Sequence, residues 1–199
     1  MASACEPAGA LVSRVAKAAG SAPAPWLVVM GVSGCGKSSV GAGLAQALGL
    51  AFIEGDSLHP PRNVALMAAG TPLTDDDRAD WLATIGKHLG QALAAGAGLV
   101  VSCSALKRRY RVGLRSACPG LRFVHLHGPA ALLRQRLAAR AGHYMPPSLL
   151  DSQLATLEPP GADEAALIID ISPPTAQVVA AALAELSSPR HRPGPTPAP

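Results

Sequence analysis

The sequence is poor in charged and in aromatic residues. Of its 199 residues only 15% are Asp, Glu, Lys or Arg and only 3% are aromatic, whereas 49% are apolar. A chain of this length and composition can bury a sizeable core, which excludes an intrinsically disordered protein. The sequence also lacks a run of 18 apolar residues, so we predict no transmembrane helix and no membrane partner.

Paired cysteines are missing as well. The four cysteines, Cys5, Cys35, Cys103 and Cys118, form no C-x-x-C pair and show no zinc-site spacing. A disulfide framework is therefore not predicted, and free thiols favour a cytoplasmic location.

Most of the positive charge lies near the two ends of the sequence. Of the net charge of +4, residues 1–24 carry +1 and residues 188–199 carry +2, so we expect no nucleic-acid partner. Residues 1–24 are predicted to be a disordered extension, with an organelle transit peptide as the alternative. The Pro-rich residues 188–199 are predicted to be disordered too. Residues 25–187 form the predicted folded domain.

The sequence does contain a glycine-rich motif around which the rest is organised. Residues 26–38 read WLVVMGVSGCGKS, an apolar run typical of a buried strand and then a match to the phosphate-binding pattern G-x-x-x-x-G-K-[ST]. Glycines let such a loop approach a phosphate, and the following helix adds its positive N-terminal end. The predicted nucleotide-binding residues are Gly31, Val32, Ser33, Gly34, Cys35, Gly36, Lys37, Ser38 and Ser39.

Two of these residues have a specific chemical role. The Lys37 ammonium is expected to neutralise the β- and γ-phosphates of ATP, and the Ser38 hydroxyl to bind Mg²⁺. Positive potential at Cys35 would favour a reactive thiolate, but we interpret this cysteine as filling a variable position of the motif. A glycine-rich turn that binds nothing is the alternative, and the apolar run before the motif and the helical pattern after it argue against that.

Short apolar segments alternate with helical patterns along the rest of the sequence. Strands are predicted at residues 27–30, 51–55, 99–102, 121–126 and 166–171. This alternation predicts a parallel sheet with right-handed crossovers, covered by helices in an α/β fold. Ligands bind at the carboxyl ends of such strands, where the phosphate loop, Asp56 and residues 102–107 all fall.

Several charged or polar clusters have a structural interpretation that we prefer to a functional one. The aspartates at 75–77 follow Thr74 and are predicted to start a capped helix and to complement its dipole, rather than to bind a metal. Arg108 and Arg115 are predicted to lie on a solvated helix face. We assign no role to the strand residues His125 and His127.

Five motifs, in this order, resemble those of the bacterial-type gluconokinases, within the shikimate-kinase-like group of P-loop kinases. They are GVSGCGKSSV, GDSLHPPRNVALMAAGTPLTDDDRADWL, CSALKRRYR, RLAARAGHYM and LATLEPP, and the resemblance covers residues 26–186. The main departure is Cys35, where relatives often have Ser or Thr. The resemblance implies ATP:D-gluconate 6-phosphotransferase activity with Mg²⁺. It further implies a three-layer α/β/α P-loop kinase fold with strand order 2-3-1-4-5, a mobile lid and a homodimer.

Phosphoryl transfer gives catalytic roles to three residues at the predicted sheet edge. Asp56 is expected to orient or deprotonate the acceptor hydroxyl, or to help hold the metal through water; a capping or turn aspartate is the alternative. Arg136 and Arg140 lie on one helix face before the lid-like residues 142–144. They are expected to close over the transferred phosphate, and the alternative is a solvated face.

Four residues are expected to bind the sugar acid: His59, Arg62, Asn63 and Lys107. Arg62 is assigned to the carboxylate because its planar fork can bind both oxygens. One competing function is another small-molecule P-loop kinase, acting on shikimate, adenylylsulfate or a nucleoside monophosphate. The other is a nucleotide-binding module without transfer activity, which would often have lost Lys37, Asp56 or the lid arginines, and all of these are present.

Overall fold

Five parallel strands form one sheet at the centre of the molecule. The computed structural model describes residues 24–139 and 148–188. The strands are β1 (Trp26–Met30), β2 (Ala51–Glu54), β3 (Leu99–Ser102), β4 (Arg122–His127) and β5 (Leu167–Asp170). Their order is β2-β3-β1-β4-β5, and every neighbouring pair is parallel. The predicted fold class and strand order are both confirmed.

Seven helices cover the sheet within the described ranges. They are α1 (Lys37–Leu48), α2 (Pro61–Ala68), α3 (Asp75–Ala94), α4 (Arg108–Ala117), α5 (Ala130–Ala138), α6 (Ser148–Thr156) and α7 (Thr175–Ser187). Two 3₁₀ turns, Gly55–Leu58 and Ala162–Glu164, have no counterpart in the sequence-based prediction. A single turn is too short to show a periodic pattern.

The central strand β1 is buried on both faces, which explains its unbroken apolar sequence. Residues 27–30 have no exposed surface. Leu27 and Val29 pack in the core between the sheet and the layer of α1 and α7, whereas Val28 and Met30 pack towards α3 and α4. The loop that follows Met30 therefore starts from a rigidly packed position.

The acidic cluster at residues 75–77 starts α3, as predicted. Thr74 Oγ1 accepts a hydrogen bond from the Asp77 amide (3.2 Å), and the Asp77 carboxylate accepts one from the Thr74 amide (2.9 Å). Hydrogen bonds from the Thr74 hydroxyl and amide hold the Asp77 pKa below its usual range. Within residues 24–139 and 148–188, no group of three His, Cys, Asp or Glu side chains is arranged to hold a metal ion.

The basic helix α4 is partly buried, and this corrects one prediction. Arg108 is exposed, as expected, and pairs with Asp163. Arg115 does not lie on a solvated face. Its guanidinium stacks 4.7 Å from the centre of the Phe123 ring and donates to the Glu164 carbonyl oxygen. Packing against β4 therefore partly buries an arginine that the sequence places in a run of surface charge.

A buried ion pair joins α4 to the turn before β5. Arg111 is 1% exposed, and its guanidinium donates to both carboxylate oxygens of Glu164, at 2.6 and 2.7 Å. These bonds hold the Glu164 pKa at about 2, below the ordinary value of 4.5. Removing one partner of such a pair leaves a buried charge, at a cost of roughly 3–5 kcal/mol.

Some predictions concern residues outside the described ranges. The predicted terminal segments lie there, apart from Ala24 and Ser188. Arg140 and the predicted lid residues 142–144 lie there too. Among the helices of the described part, none is long and apolar enough to cross a membrane.

Candidate active site

The phosphate loop joins the end of β1 to the start of α1. Gly36 adopts a φ of 93° before α1, and no side chain caps that described helix end. Gly31 adopts a φ of 136°, and a Cβ atom there would lie 2.6 Å from the Leu126 carbonyl oxygen. Both positions require glycine, and the uncapped helix end is suited to an anion.

Lys37 is the first residue of α1, and its side chain folds back over the loop. Its ammonium donates to the Val32 carbonyl oxygen at 3.2 Å, and the residue lines a cleft beside the loop. Ser38 is half-buried in the same helical turn, whereas Ser39 is exposed. A single hydroxyl at this position suits Mg²⁺. In nucleotide sites this ion is usually coordinated by only one or two protein oxygens, together with substrate phosphates and water molecules.

A narrow cleft lies beside the phosphate loop. Its polar lining includes Lys37, Asp56, His59, Arg78, Ser104 and Gln153. The cleft therefore brings together Lys37, Asp56 and His59, which the sequence predicts to share a site. Its free volume is about 30 Å³.

Asp56 stands on a 3₁₀ turn whose backbone is fixed by β3 and α3. The preceding Gly55 donates its amide to Ser102 Oγ (2.9 Å), and its carbonyl accepts from Trp81 Nε1 (2.7 Å). Ser102 in turn donates to the Glu54 carboxylate. A Cβ atom at position 55 would lie 1.9 Å from the Ser102 carbonyl oxygen, so only glycine fits there. These contacts set where the Asp56 carboxylate can lie.

His59 directly follows that turn and is neutral at physiological pH. Its ring stacks on Trp81, with centroids 4.1 Å apart and an interplanar angle of 16°. Burial lowers the His59 pKa from 6.5 to about 4. Its Nδ1 lies 3.4 Å from the Asn63 amide nitrogen. Because that nitrogen only donates, Nδ1 accepts and Nε2 carries the proton. His59 is therefore a neutral hydrogen-bonding group and not a cation.

Arg62, Asn63 and Lys107 are predicted substrate ligands that do not line this cleft. The Arg62 side chain is 79% exposed and lies 3.1 Å from the Asp77 carboxylate. Asn63 is buried and donates to the Asp77 backbone carbonyl at 2.6 Å. Lys107 lies 2.9 Å from the Asp75 carboxylate. In this arrangement the first turn of α3 binds all three side chains.

Arg136 lies near the phosphate loop, at the end of β5. Its guanidinium donates to the Ile171 carbonyl oxygen at 2.8 Å. Burial raises the Cys35 pKa above its usual range, although Lys37 and Arg136 act in the opposite direction. Cys35 is therefore a buried thiol, in keeping with the structural interpretation of this position. Arg140 lies outside the described residues.

Four polar cleft residues were not identified as ligands from the sequence: Arg78, Ser104, Ser152 and Gln153. The Arg78 guanidinium donates to the Leu73 carbonyl oxygen at 3.2 Å, which holds it at the cleft. Arg78 lies near the N-terminus of α3, where a positive charge interacts unfavourably with the helix dipole. This unfavourable position is the sequence signal that could have identified Arg78 as a functional residue. Gln153 Oε1 accepts from the Ser33 amide at 2.7 Å, and no sequence signal connects two residues 120 positions apart.

The chain is similar to known proteins in both sequence and structure. A family model described as an AAA domain matches residues 27–160. The chain is similar to a gluconokinase of Gluconobacter oxydans, at 56% identity over 139 residues, 70% of this chain and 78% of that protein. It is also 43% identical over 157 residues to the thermoresistant gluconokinase of Escherichia coli. The matched residues cover 78% of this chain and 90% of that protein. The crystal structure of a gluconokinase from Sinorhizobium meliloti matches with a TM-score of 0.76 and 52% identity, over 83% of this chain and 93% of that one.

Proposed function

The chain belongs to the gluconokinase family, and from this premise we propose how it transfers the terminal phosphoryl group of ATP to D-gluconate, giving 6-phospho-D-gluconate and ADP. The observation that carries the proposal is the shared cleft, which Lys37 of the phosphate loop and Asp56 both line. Phosphoryl transfer needs a phosphate clamp beside a group that orients the acceptor hydroxyl. The cleft supplies one of each.

The phosphate loop binds ATP in this proposal. Its amides and the uncapped start of α1 donate to phosphate oxygens, and the Lys37 ammonium neutralises charge on the β- and γ-phosphates. Ser38 would hold Mg²⁺, which supplies further neutralisation of the phosphate charge when bound. Arg136, beside the loop, adds to the positive surroundings of the phosphates.

Asp56 acts on the acceptor hydroxyl. Its carboxylate accepts a hydrogen bond from the 6-hydroxyl of gluconate and so orients the oxygen towards the γ-phosphorus. It then takes the proton as the new P–O bond forms. The bonds that fix Gly55 keep this carboxylate in the cleft before either substrate binds.

Arg78 is a better receptor for the gluconate carboxylate than Arg62. Lys37 and Arg78 are the basic residues that line the cleft within the described ranges, and the phosphates occupy Lys37. Arg78 directs two of its N–H groups to the Leu73 carbonyl. A guanidinium has five N–H groups in a planar fork, so others can bind a carboxylate. Arg62 would first have to leave Asp77 and turn inwards.

Neutral groups of the cleft suit the hydroxyls of gluconate. His59 donates from Nε2, and the hydroxyls of Ser104 and Ser152 both donate and accept. Such a lining is polar without adding charge. Shikimate, adenylylsulfate and nucleoside monophosphates are less well supported as acceptors, because the close relatives are gluconokinases.

A coupled assay for ADP release tests the proposal. We expect turnover with D-gluconate, ATP and Mg²⁺, and a product phosphorylated at the 6-hydroxyl by ³¹P and ¹H NMR. Shikimate, adenylylsulfate and nucleoside monophosphates should give background rates. Turnover with one of those acceptors and none with gluconate would refute the assignment.

A homodimer and a cytoplasmic location complete the proposal. The dimer rests on the family resemblance, and light scattering on the purified full chain should give twice the mass of one chain. A monomer at assay concentration would contradict it. The cytoplasmic location is supported by Cys35, Cys103 and Cys118, which are all free and buried.

A further inference from the structure

Gln153 of α6 contacts the phosphate loop directly. Its side-chain oxygen Oε1 accepts a hydrogen bond of 2.7 Å from the Ser33 amide. Because a backbone N–H can only donate, the oxygen and not the nitrogen of the carboxamide faces the loop. The same side chain lines the cleft with Lys37 and Asp56. Gln153 therefore lies between the nucleotide side and the acceptor side of the site.

The Ser33 amide belongs to the loop that binds the phosphates of ATP. Amides of this motif donate to phosphate oxygens, so a phosphate at Ser33 and the Gln153 oxygen compete for one donor. Release of Gln153 from Ser33 would free the amide for a phosphate and the carboxamide for a second ligand in the cleft.

A released carboxamide is well suited to a sugar acid. Its oxygen accepts hydrogen bonds and its nitrogen donates two, and each hydroxyl of gluconate can use either kind. Ser152 and Leu149 of α6 also line the cleft. The helix thus presents two neighbouring polar side chains where the acceptor must bind.

We propose that Gln153 couples the two substrates: ATP takes over the Ser33 amide, and the released carboxamide binds gluconate hydroxyls beside Asp56. This inference rests on the proposed function. Both ligands then favour the same released state of Gln153. By thermodynamic linkage, each ligand raises the affinity of the enzyme for the other.

Isothermal titration calorimetry on the full chain tests the coupling, with non-hydrolysable AMP-PNP, Mg²⁺ and D-gluconate. In the wild type, AMP-PNP should tighten gluconate binding by about 2- to 10-fold, the range of one neutral hydrogen bond. Gln153→Met keeps the length of the side chain but removes both hydrogen-bonding groups. This variant should bind AMP-PNP alone about 2- to 10-fold more tightly and gluconate more weakly. Its gluconate affinity should be the same with and without AMP-PNP.

A second variant separates coupling from a merely structural role. Gln153→Glu keeps an acceptor for the Ser33 amide but places a negative charge beside the phosphates, so it should weaken AMP-PNP binding. The two variants should thus change nucleotide affinity in opposite directions, whereas damage to α6 would weaken binding in both. Gln91→Met is the matched control, because Gln91 is exposed on α3 and does not line the cleft. It should retain wild-type affinities.

Two results would overturn the inference: coupling in Gln153→Met as strong as in the wild type, or weaker AMP-PNP binding by that variant. A wild-type enzyme that binds AMP-PNP but no gluconate would instead refute gluconate as the acceptor, and with it the coupling. In that case the AMP-PNP affinities of the wild type and Gln153→Met would still show whether Gln153 competes for the Ser33 amide.

Discussion

At the scale of single residues, the charges that line the cleft match two anionic substrates. Lys37 and Arg78 are its basic residues and Asp56 is its acidic residue, within the part of the chain that the structure describes. ATP and gluconate both bring negative charge, so an excess of positive side chains favours their binding together. The Asp56 carboxylate is then available to accept the proton of the acceptor hydroxyl.

A matched pair of substitutions decides which arginine binds the gluconate carboxylate. Arg78→Lys keeps the charge but loses the planar fork, so we expect the KM for gluconate to rise about tenfold or more, with the KM for ATP nearly unchanged. Arg62→Lys should leave both constants close to wild type, since Arg62 is 79% exposed and pairs with Asp77. Initial-rate kinetics with each substrate varied give both values. A raised KM for gluconate in Arg62→Lys but not in Arg78→Lys would show that Arg62 binds the gluconate carboxylate.

Asp56→Asn tests the role of the cleft carboxylate in catalysis. The substitution keeps the size of the side chain and much of its capping ability but removes the base, so kcat should fall by about 10²–10⁴-fold. The KM for ATP should change little, because the phosphate loop is intact. Asp80→Asn, on the exposed surface of α3, is the control and should keep the wild-type kcat. A loss below about tenfold in Asp56→Asn would favour a turn-forming role for this residue.

The sequence predicts the backbone of this site better than its side-chain contacts. Lys37 and Asp56 are found in the cleft because motif and strand ends fix where their backbone lies. Arg62 follows the end of β2 and Lys107 follows the end of β3, yet acidic side chains of α3 bind both of them outside the cleft. Which partner a long side chain reaches depends on tertiary packing, and residue spacing carries no information about that.

At the scale of elements, β3 and α3 position the catalytic turn through Gly55. Ser102 at the end of β3 bonds its amide, and Trp81 of α3 bonds its carbonyl. The Trp81 ring also stacks on His59, so one side chain of α3 fixes both ends of the Asp56 turn. Neither contact shows as a motif, because each joins residues that are far apart in the sequence.

Gly55→Ala tests how far activity depends on this close approach. An added Cβ would lie 1.9 Å from the Ser102 carbonyl oxygen, so the turn must shift away from β3 and carry Asp56 with it. We expect kcat to fall by at least about tenfold. The free energy of unfolding should fall as well, by about 1–3 kcal/mol, which is typical of overpacking. Gly113→Ala is the control, because a Cβ at that helical position meets no atom within 4 Å. It should keep activity and gain up to about 1 kcal/mol of stability.

At the scale of the whole molecule, buried ionisable side chains tie stability to pH. Burial lowers the pKa of both His59 and His125 from 6.5 to about 4, and Arg111 lowers that of Glu164 from 4.5 to about 2. Between pH 6.5 and 4 the unfolded histidines bind protons that the folded ones do not. Between pH 4.5 and 2 the same holds for Glu164. Stability should therefore fall steadily as the pH falls below 6.5.

His125→Leu isolates one contribution to this acid sensitivity. His125 is 4% exposed on β4, and its Nδ1 has no hydrogen-bond partner among the described residues. Leucine fills the same core position without a group that must remain unprotonated, so the free energy of unfolding should decline less between pH 6.5 and 4. Above pH 6.5 the histidine is neutral in both the folded and the unfolded state, so the two profiles should run parallel there. Urea denaturation of wild type and variant across this range measures the difference. A variant whose stability declines as steeply as that of the wild type would show that His125 does not contribute to the acid sensitivity.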